Sequence, residues 1–427
     1  MKKYFNDIVK TICRLVGFDS SLSPFDPPSK GAPFGTRTRE CLEYFLQTAQ
    51  NMGFETHNYD GFAGEVIYGN GEEFAILAHL DVVPAGNGWE YPPFGGVITG
   101  GRIYGRGTTD DKGPAAISLF CLKALKDEGF MPKRKFKLIV GCNEETGWAC
   151  MDHYRQVAHM PEEGFTPDAD FPVIYAEKGI LHMRMAFPIR NAPFDALWGG
   201  SAANMVCDCA HVSLPSACPL PDSSESCLLT LEHGIVTAYG IGAHGSTPEK
   251  GKNALRSLLS LFTSNNPDCR YVYDVLFNDS LGMQNISDET GSLTMSPNIA
   301  EFRDGILYVT TDFRVPATHS LSEISQILEG AGIAFEIIHA QNALYNDPNG
   351  RLIRTLSSVY ERVTGRPGSP IAIGGGTYAR VLKNGCGFGP QEEDEEVTIH
   401  QPNEYISLDK ISVLSDIYYN ALKELGL

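Results

Sequence analysis

The chain of 427 residues is too long for one ordinary core, and its 42% hydrophobic and 10% aromatic content excludes a disordered polymer. Against 34 basic side chains stand 52 acidic ones, a formal charge of −18. So acidic a surface argues against nucleic acid or anionic membrane as the main partner.

From the N-terminus, Phe5, Ile8, Val9, Ile12, Leu15 and Val16 fall at helical spacing and predict an amphipathic helix. Asn6, Asp7, Lys10 and Arg14 interrupt the apolar run that a signal peptide needs. No stretch approaches the roughly 18 apolar residues of a membrane span, so a soluble, cytoplasmic protein is expected. Residues 20–35 (SSLSPFDPPSKGAPFG) are a Pro/Gly/Ser-rich loop, too long to be mere connection. A helix follows (TRECLEYFLQTAQNMGF), then short strands at GEVIYG and FAILAHL, a helix at DKGPAAISLFCLKALKDEGF and a buried strand at KFKLIVGC. This alternation predicts an α/β layer, a mostly parallel sheet flanked by helices.

Near residue 185 the texture changes. GILHMRMAFPI, CLLTLEHGIVTAYGIGAHG and GILYVTTDFRV alternate as antiparallel strands do, with helices at GKNALRSLLSLFTS and SLSEISQILEGAG. From about residue 346 the first texture returns, with a helix at GRLIRTLSSVYERVTG, a strand at PIAIGGG and a C-terminal helix. The expected organisation is a first domain in two parts, 1–184 and 346–427, with an inserted α+β unit at 185–345. The acidic run EEDEE (392–396) reads as a solvated loop. Eleven cysteines, odd in number and scattered, fit reduced thiols better than a disulfide framework. Cys207, Cys209, Cys218 and Cys227 cluster, but with no C-x-x-C pair they make a weak structural metal site.

In FAILAHLDVVP, His79 and Asp81 are two apart and leave one face of a strand. By spacing alone, an ordinary hydrogen-bonded polar pair is the better reading, and half of a metal site the other. YGRGTTDDKGP sets Asp110 and Asp111 in a Gly-rich turn opening a helix, where an aspartate can simply cap. IVGCNEETG places Glu144 and Glu145 at the end of an apolar strand. Two like charges there repel unless a cation compensates them, the plain alternative being that one points to solvent. Asp168 and Asp170 precede another strand, and His400 precedes the C-terminal helix. Sites form at strand ends in open α/β sheets. Mixed His and carboxylate ligands suit Zn²⁺, with Mn²⁺ or Co²⁺ fitting the same geometry. Five ligands are too many for one tetrahedral catalytic zinc and fit two metals sharing a carboxylate.

The order H-x-D, G-R-G-x-x-D-x-K-G, E-E, D, H resembles the co-catalytic zinc metallopeptidases that include aminoacylase, glutamate carboxypeptidase and succinyl-diaminopimelate desuccinylase. The chain is most similar to peptidase V-type dipeptidases, also described as Xaa-His dipeptidases. Seven blocks carry the likeness: GAPFG, HLDVVPAGNGW, GRGTTDDKGP, VGCNEETGWACMDHY, TPDADFPVIYAEKGI, IGGGTYAR and HQPNEYI, spread over nearly the whole chain.

The resemblance implies a catalytic α/β domain with an inserted lid, and two Zn²⁺ per chain. His79 and Asp168 would serve one metal, Glu145 and His400 the other, with Asp110 bridging both and followed by a cis bond to Asp111. Asp81 would orient His79 through its carboxylate. Glu144 would be the general base toward a water that the metals activate. In GIGAHGSTPEKGKNA, His244 would stabilise the tetrahedral intermediate. Asn204 and Arg314 would bind the C-terminal carboxylate of a small peptide, joined by backbone N–H groups of Gly374, Gly375 and Gly376. A tight turn is the equal alternative for the three glycines.

A monomer is expected, as in peptidase V. The inserted unit is shorter than that enzyme's enlarged lid, however, which keeps a homodimer exchanging His244 as the alternative. The implied activity is hydrolysis of dipeptides with a free N-terminus, and an N-acyl amino acid deacylase of the same fold is its nearest rival. A non-catalytic metal-binding protein would lack Glu144 or His244, and a two-metal phosphoesterase would gather more Lys and Arg.

Overall fold

The computed structural model describes residues 1–215 and 227–427; Cys218 lies outside the described residues. Two compact units emerge: Met1–Tyr175 with Asn346–Ile371 and Thr377–Leu427, and Ala176–Tyr345 with Ala372–Gly376. The expected boundary at 184/185 falls inside the strand Gly179–Pro188. Both ladder partners of that strand, Ile306–Val315 and Ala334–Gln341, belong to the second unit. A strand stays with the ladder that satisfies its backbone, so the division comes before it.

In the first unit the strands lie in the order Glu55–Tyr59, Ala63–Tyr68, Arg134–Gly141, Glu72–His79, Glu163–Thr166, Asn384–Gly387. The last four are mutually parallel. The first two are antiparallel to each other, because a turn as short as 60–62 can only reverse the chain, and the second is also antiparallel to Arg134–Gly141. The sheet is therefore mixed, with its parallel part central and buried on both faces. Ala75 and Leu77 point to a cluster with Ile139, Cys150, Met151, Tyr154 and Tyr378. Phe74, one residue out of phase, meets Phe136 and Phe165, and Phe165 reaches Tyr418 of the helix Leu408–Leu425. Period-two alternation thus buries apolar side chains against helices on each face. Register pairs His79 with Gly141 in parallel, so the loops after both strands open at one edge of the sheet.

The second unit is an antiparallel sheet in the order Leu228–Glu232, Ile235–Tyr239, Cys209–Ser213, Ala196–Gly199, Thr294–Arg303, Ile306–Val315, Gly179–Pro188, Ala334–Gln341. Along Gly179–Pro188, Leu181, Met183, Met185 and Phe187 are buried while their alternates are half-buried. The covering helices Ala254–Ser260, Pro267–Phe277 and Leu321–Gly330 contribute Leu258, Val272, Leu276 and Ile324 to that core. The helix Pro267–Phe277 was not expected. Its signal is Asn266, whose side chain accepts from Asp268 N and Cys269 N, followed by a proline in the first turn.

Two surface readings change. Glu392 of the acidic run is buried and accepts from the Tyr360 hydroxyl at 2.7 Å, so that run is not wholly solvated. Cys207 donates to the Cys209 carbonyl, and Cys209 Sγ lies 3.6 Å from His211 Nε2. Among the described residues these thiols join no group of metal-ligand geometry. No helix among the described residues is long and apolar enough to cross a membrane.

Candidate active site

His79 ends its strand fully buried. Its Nδ1 lies 3.0 Å from the carbonyl oxygen of Asp81 and 3.6 Å from that residue's carboxylate. The carboxylate instead accepts the backbone N–H groups of Glu144 (3.0 Å) and Glu145 (3.1 Å). The ring thus meets the Asp81 carbonyl more closely than the carboxylate, which stays within ion-pair distance while it also accepts the two N–H donors. A carbonyl only accepts, so Nδ1 carries the proton and Nε2 faces the cluster.

That Nε2 is 2.9 Å from Asp110 Oδ1 and 3.4 Å from Asp168 Oδ2. His400 Nε2 is 2.8 Å from Asp110 Oδ2 and 3.2 Å from Glu145 Oε1. Asp110 therefore lies between two imidazoles, offering one oxygen to each. The Asp110–Asp111 peptide bond is cis.

Besides Asp111, weighed above as a capping residue, several supporting groups were not singled out from the sequence. Asp111 Oδ2 accepts His79 N at 3.0 Å. Glu404, fully buried, pairs with buried Arg106 at 2.6 Å and accepts N–H from Gly107, Thr109 and Asp110. Trp148 Nε1 donates to Glu144 Oε1 at 3.0 Å. Only the quoted block HQPNEYI hinted at Glu404, by placing it next to His400.

Electrostatics follow from the crowding. Burial works against a charged His79, yet Asp110, Asp168 and Asp81 push its imidazole well above the usual range. Hydrogen bonds to Asp110 and Glu145 push His400 up to about 10. Burial would raise Asp110, but His400 and His79 hold it below the usual carboxylate range. Burial raises Asp168 and Glu145. It is also the main cause that brings Glu144 up to about 8, with Asp168, Asp81 and Glu145 adding to it against the opposing charge of His79.

His79 Nε2 and Asp110 Oδ1 are buried and find no hydrogen-bond partner among the described residues, despite their proximity. Ligand atoms of His79, Glu144 and Asp168 lie within 4.8 Å of one another, as do those of His79, Asp110 and Glu145. Such nitrogen and carboxylate donors, orphaned in a buried cluster, fit divalent metal ions.

The second unit holds the other expected residues, as a group of its own. His244 Nδ1 lies 2.7 Å from Ser246 Oγ and accepts Ser246 N at 3.2 Å, which leaves Nε2 as the protonated nitrogen. Burial, then the charge of Arg314, lowers the His244 pKa. Arg314 is buried, and its Nε and Nη2 fork the Asp312 carboxylate at 2.9 and 2.8 Å. Its Nη1 donates to the Gly374 carbonyl at 3.0 Å. Gly375 and Gly376 continue the same loop. Asn204 is exposed, and its backbone carbonyl accepts Gly245 N at 2.7 Å.

Residues 75–424 match the sequence pattern of peptidase family M20/M25/M40. YtjP of Bacillus subtilis (strain 168) is 34% identical over 428 residues, covering 93% of this chain and 92% of its own. The Beta-Ala-Xaa dipeptidase of Lactobacillus delbrueckii subsp. lactis is 31% identical over 450 residues, covering 98% and 96%. The aminoacylhistidine dipeptidase from Vibrio alginolyticus shares the fold, with a TM-score of 0.60 at 14% identity over 98% of this chain and 96% of that one. Likeness sustained along nearly the whole length makes this chain a member of peptidase family M20/M25/M40, and a hydrolase.

Proposed function

We propose that the chain is a dipeptidase with two divalent metal sites, zinc matching the ligands best, that hydrolyses short peptides with a free N-terminus. The observation that carries this reading is Asp110, with one carboxylate oxygen toward His79 and the other toward His400. His79, Asp110 and Asp168 would hold one ion, and Asp110, Glu145 and His400 the second. Bound there, the metals supply Lewis acidity and lower the pKa of water toward about 7.

Glu144 takes a proton from the attacking water on its carboxylate and later gives it to the leaving amine. Burial raises this carboxyl in the metal-free protein, and bound cations would lower it toward the range in which a carboxylate takes up a proton and returns it. In the second unit, the protonated Nε2 of His244 is suited to donate to an oxyanion. Arg314 keeps N–H groups beyond those spent on Asp312 and Gly374, which suits a substrate carboxylate together with Asn204 and Gly374–Gly376. Similarity to a Beta-Ala-Xaa dipeptidase and a shared fold with an aminoacylhistidine dipeptidase support a dipeptide substrate.

The test is metal-stripped protein reloaded with Zn²⁺, Mn²⁺ or Co²⁺ and offered dipeptides beside their N-acetylated forms. Restored hydrolysis of the free dipeptides is expected. Preference for the acetylated compounds would replace this reading with a deacylase, and inactivity with every metal would end it.

A further inference from the structure

We infer that Trp148 is a positioning residue for the general base: its indole N–H clamps Glu144 so that one carboxylate oxygen is left to take the proton. The inference rests on the role proposed above for Glu144. Trp148 Nε1 donates to Glu144 Oε1 at 3.0 Å. An indole N–H is a donor only. Oε1 therefore stays an acceptor whether or not Glu144 is protonated, and the proton belongs on Oε2.

The clamp is rigid. Trp148 packs on Tyr378 with ring centroids 5.6 Å apart, against the cluster that contains Leu77 and Ile139. Tyr378 in turn meets the His79 ring edge-on at 6.3 Å, and its hydroxyl lies 3.1 Å from Cys150 Sγ. The indole is therefore tied to the wall behind a metal-ligand candidate as well as to the base.

Backbone geometry points the same way. Trp148 has φ of 63°, in the left-handed region that a bulky residue rarely adopts. Asn143 holds it there from both sides: the Asn143 carbonyl accepts Trp148 N at 2.8 Å, and Asn143 Oδ1 accepts Ala149 N at 3.0 Å. Glycine would take this conformation without strain. The turn alone therefore does not call for tryptophan, whose ring packs on Tyr378 and whose N–H reaches Glu144.

Trp148→Phe preserves most of the ring packing and removes the N–H. In the metal-loaded enzyme, kcat is expected to fall roughly 10–100-fold, the effect of losing one hydrogen bond to a charged group, with KM and bound metal per chain unchanged. A second readout leaves Trp148 in place. In ¹H–¹⁵N spectra the indole signal lost in Trp148→Phe should lie downfield in the native enzyme and move upfield in Glu144→Gln. Unchanged kcat, a fall in kcat matched by loss of metal, or an indole signal indifferent to Glu144→Gln would each overturn the inference. If Glu144→Gln itself keeps its turnover, the general-base reading falls and this one with it. If that variant is dead while Trp148→Phe is fully active, only this inference fails.

Discussion

His79 presents its Nδ1 to the backbone carbonyl of Asp81, while the carboxylate of the same residue holds the N–H groups of Glu144 and Glu145. Every substitution at this position keeps the carbonyl, so the His79 tautomer should survive it. What is lost is the anchor of the glutamate loop. Asp81→Ala is expected to lower kcat about 10–100-fold, by freeing two charge-assisted hydrogen bonds, and to weaken metal binding at the site proposed for Glu145 more than at the one proposed for His79. Asp81→Asn, which keeps one acceptor oxygen, should fall between. Metal titration alongside steady-state kinetics checks this, and selective loss of the His79-side metal would contradict it.

Glu144→Gln retains the shape and the Trp148 contact but cannot take a proton. Metal content by mass spectrometry should remain native while turnover drops by about 10²–10⁴, the usual contribution of general acid–base catalysis. Residual activity within tenfold of native would show that another group moves the proton.

Glu404 and Arg106 form a buried pair whose carboxylate also gathers the backbone N–H groups leading to Asp110. Removing one partner strands the other charge, so Glu404→Ala should cost about 3–5 kcal/mol of stability. Joint replacement, Arg106→Met with Glu404→Gln, should recover much of the melting temperature. It should not recover affinity for the metal proposed to lie between Asp110 and His400, because the loop still lacks its ionised acceptor. Full recovery of that affinity would reduce the pair to a purely structural role.

His79, Asp110, Glu144, Glu145, Asp168 and His400 could be read as a group because each stands beside an apolar strand or a helix start, where pattern and chemistry coincide. Glu404 and Trp148 could not. Glu404 meets Asp110 across 294 residues of chain, and Trp148 reads locally as one more core aromatic. Two-residue spacing put His79 and Asp81 on one face, yet it cannot tell a side-chain contact from a backbone one. In the fold, the alternating texture marked both units. It did not reveal that short turns would make the outer strands of the first sheet antiparallel, nor that Asn266 and Pro267 begin a helix.

Metal uptake should depend on pH in a direction fixed by the imidazoles. Without metal, hydrogen bonds to Asp110 and Glu145 raise His400 to about 10, and Asp110, Asp168 and Asp81 raise His79 against the effect of its burial. His400 is then protonated at pH 7 and His79 is shifted in the same direction, so a metal competes with protons for Nε2. Apparent affinity should rise between pH 6 and 8 by roughly tenfold per unit for each proton displaced. Calorimetry in buffers of different ionisation enthalpy should show proton release on binding. The sign for the metal-free fold is opposite: a raised histidine stabilises it fully below the ordinary value of 6.5, and that support fades as pH climbs through about 10. Raising pH should therefore strengthen metal binding while weakening the metal-free protein, so the gain in melting temperature on adding Zn²⁺ should widen from pH 6 to pH 8. A gain that stays constant or narrows would mean that the two imidazoles are already neutral before the metal arrives.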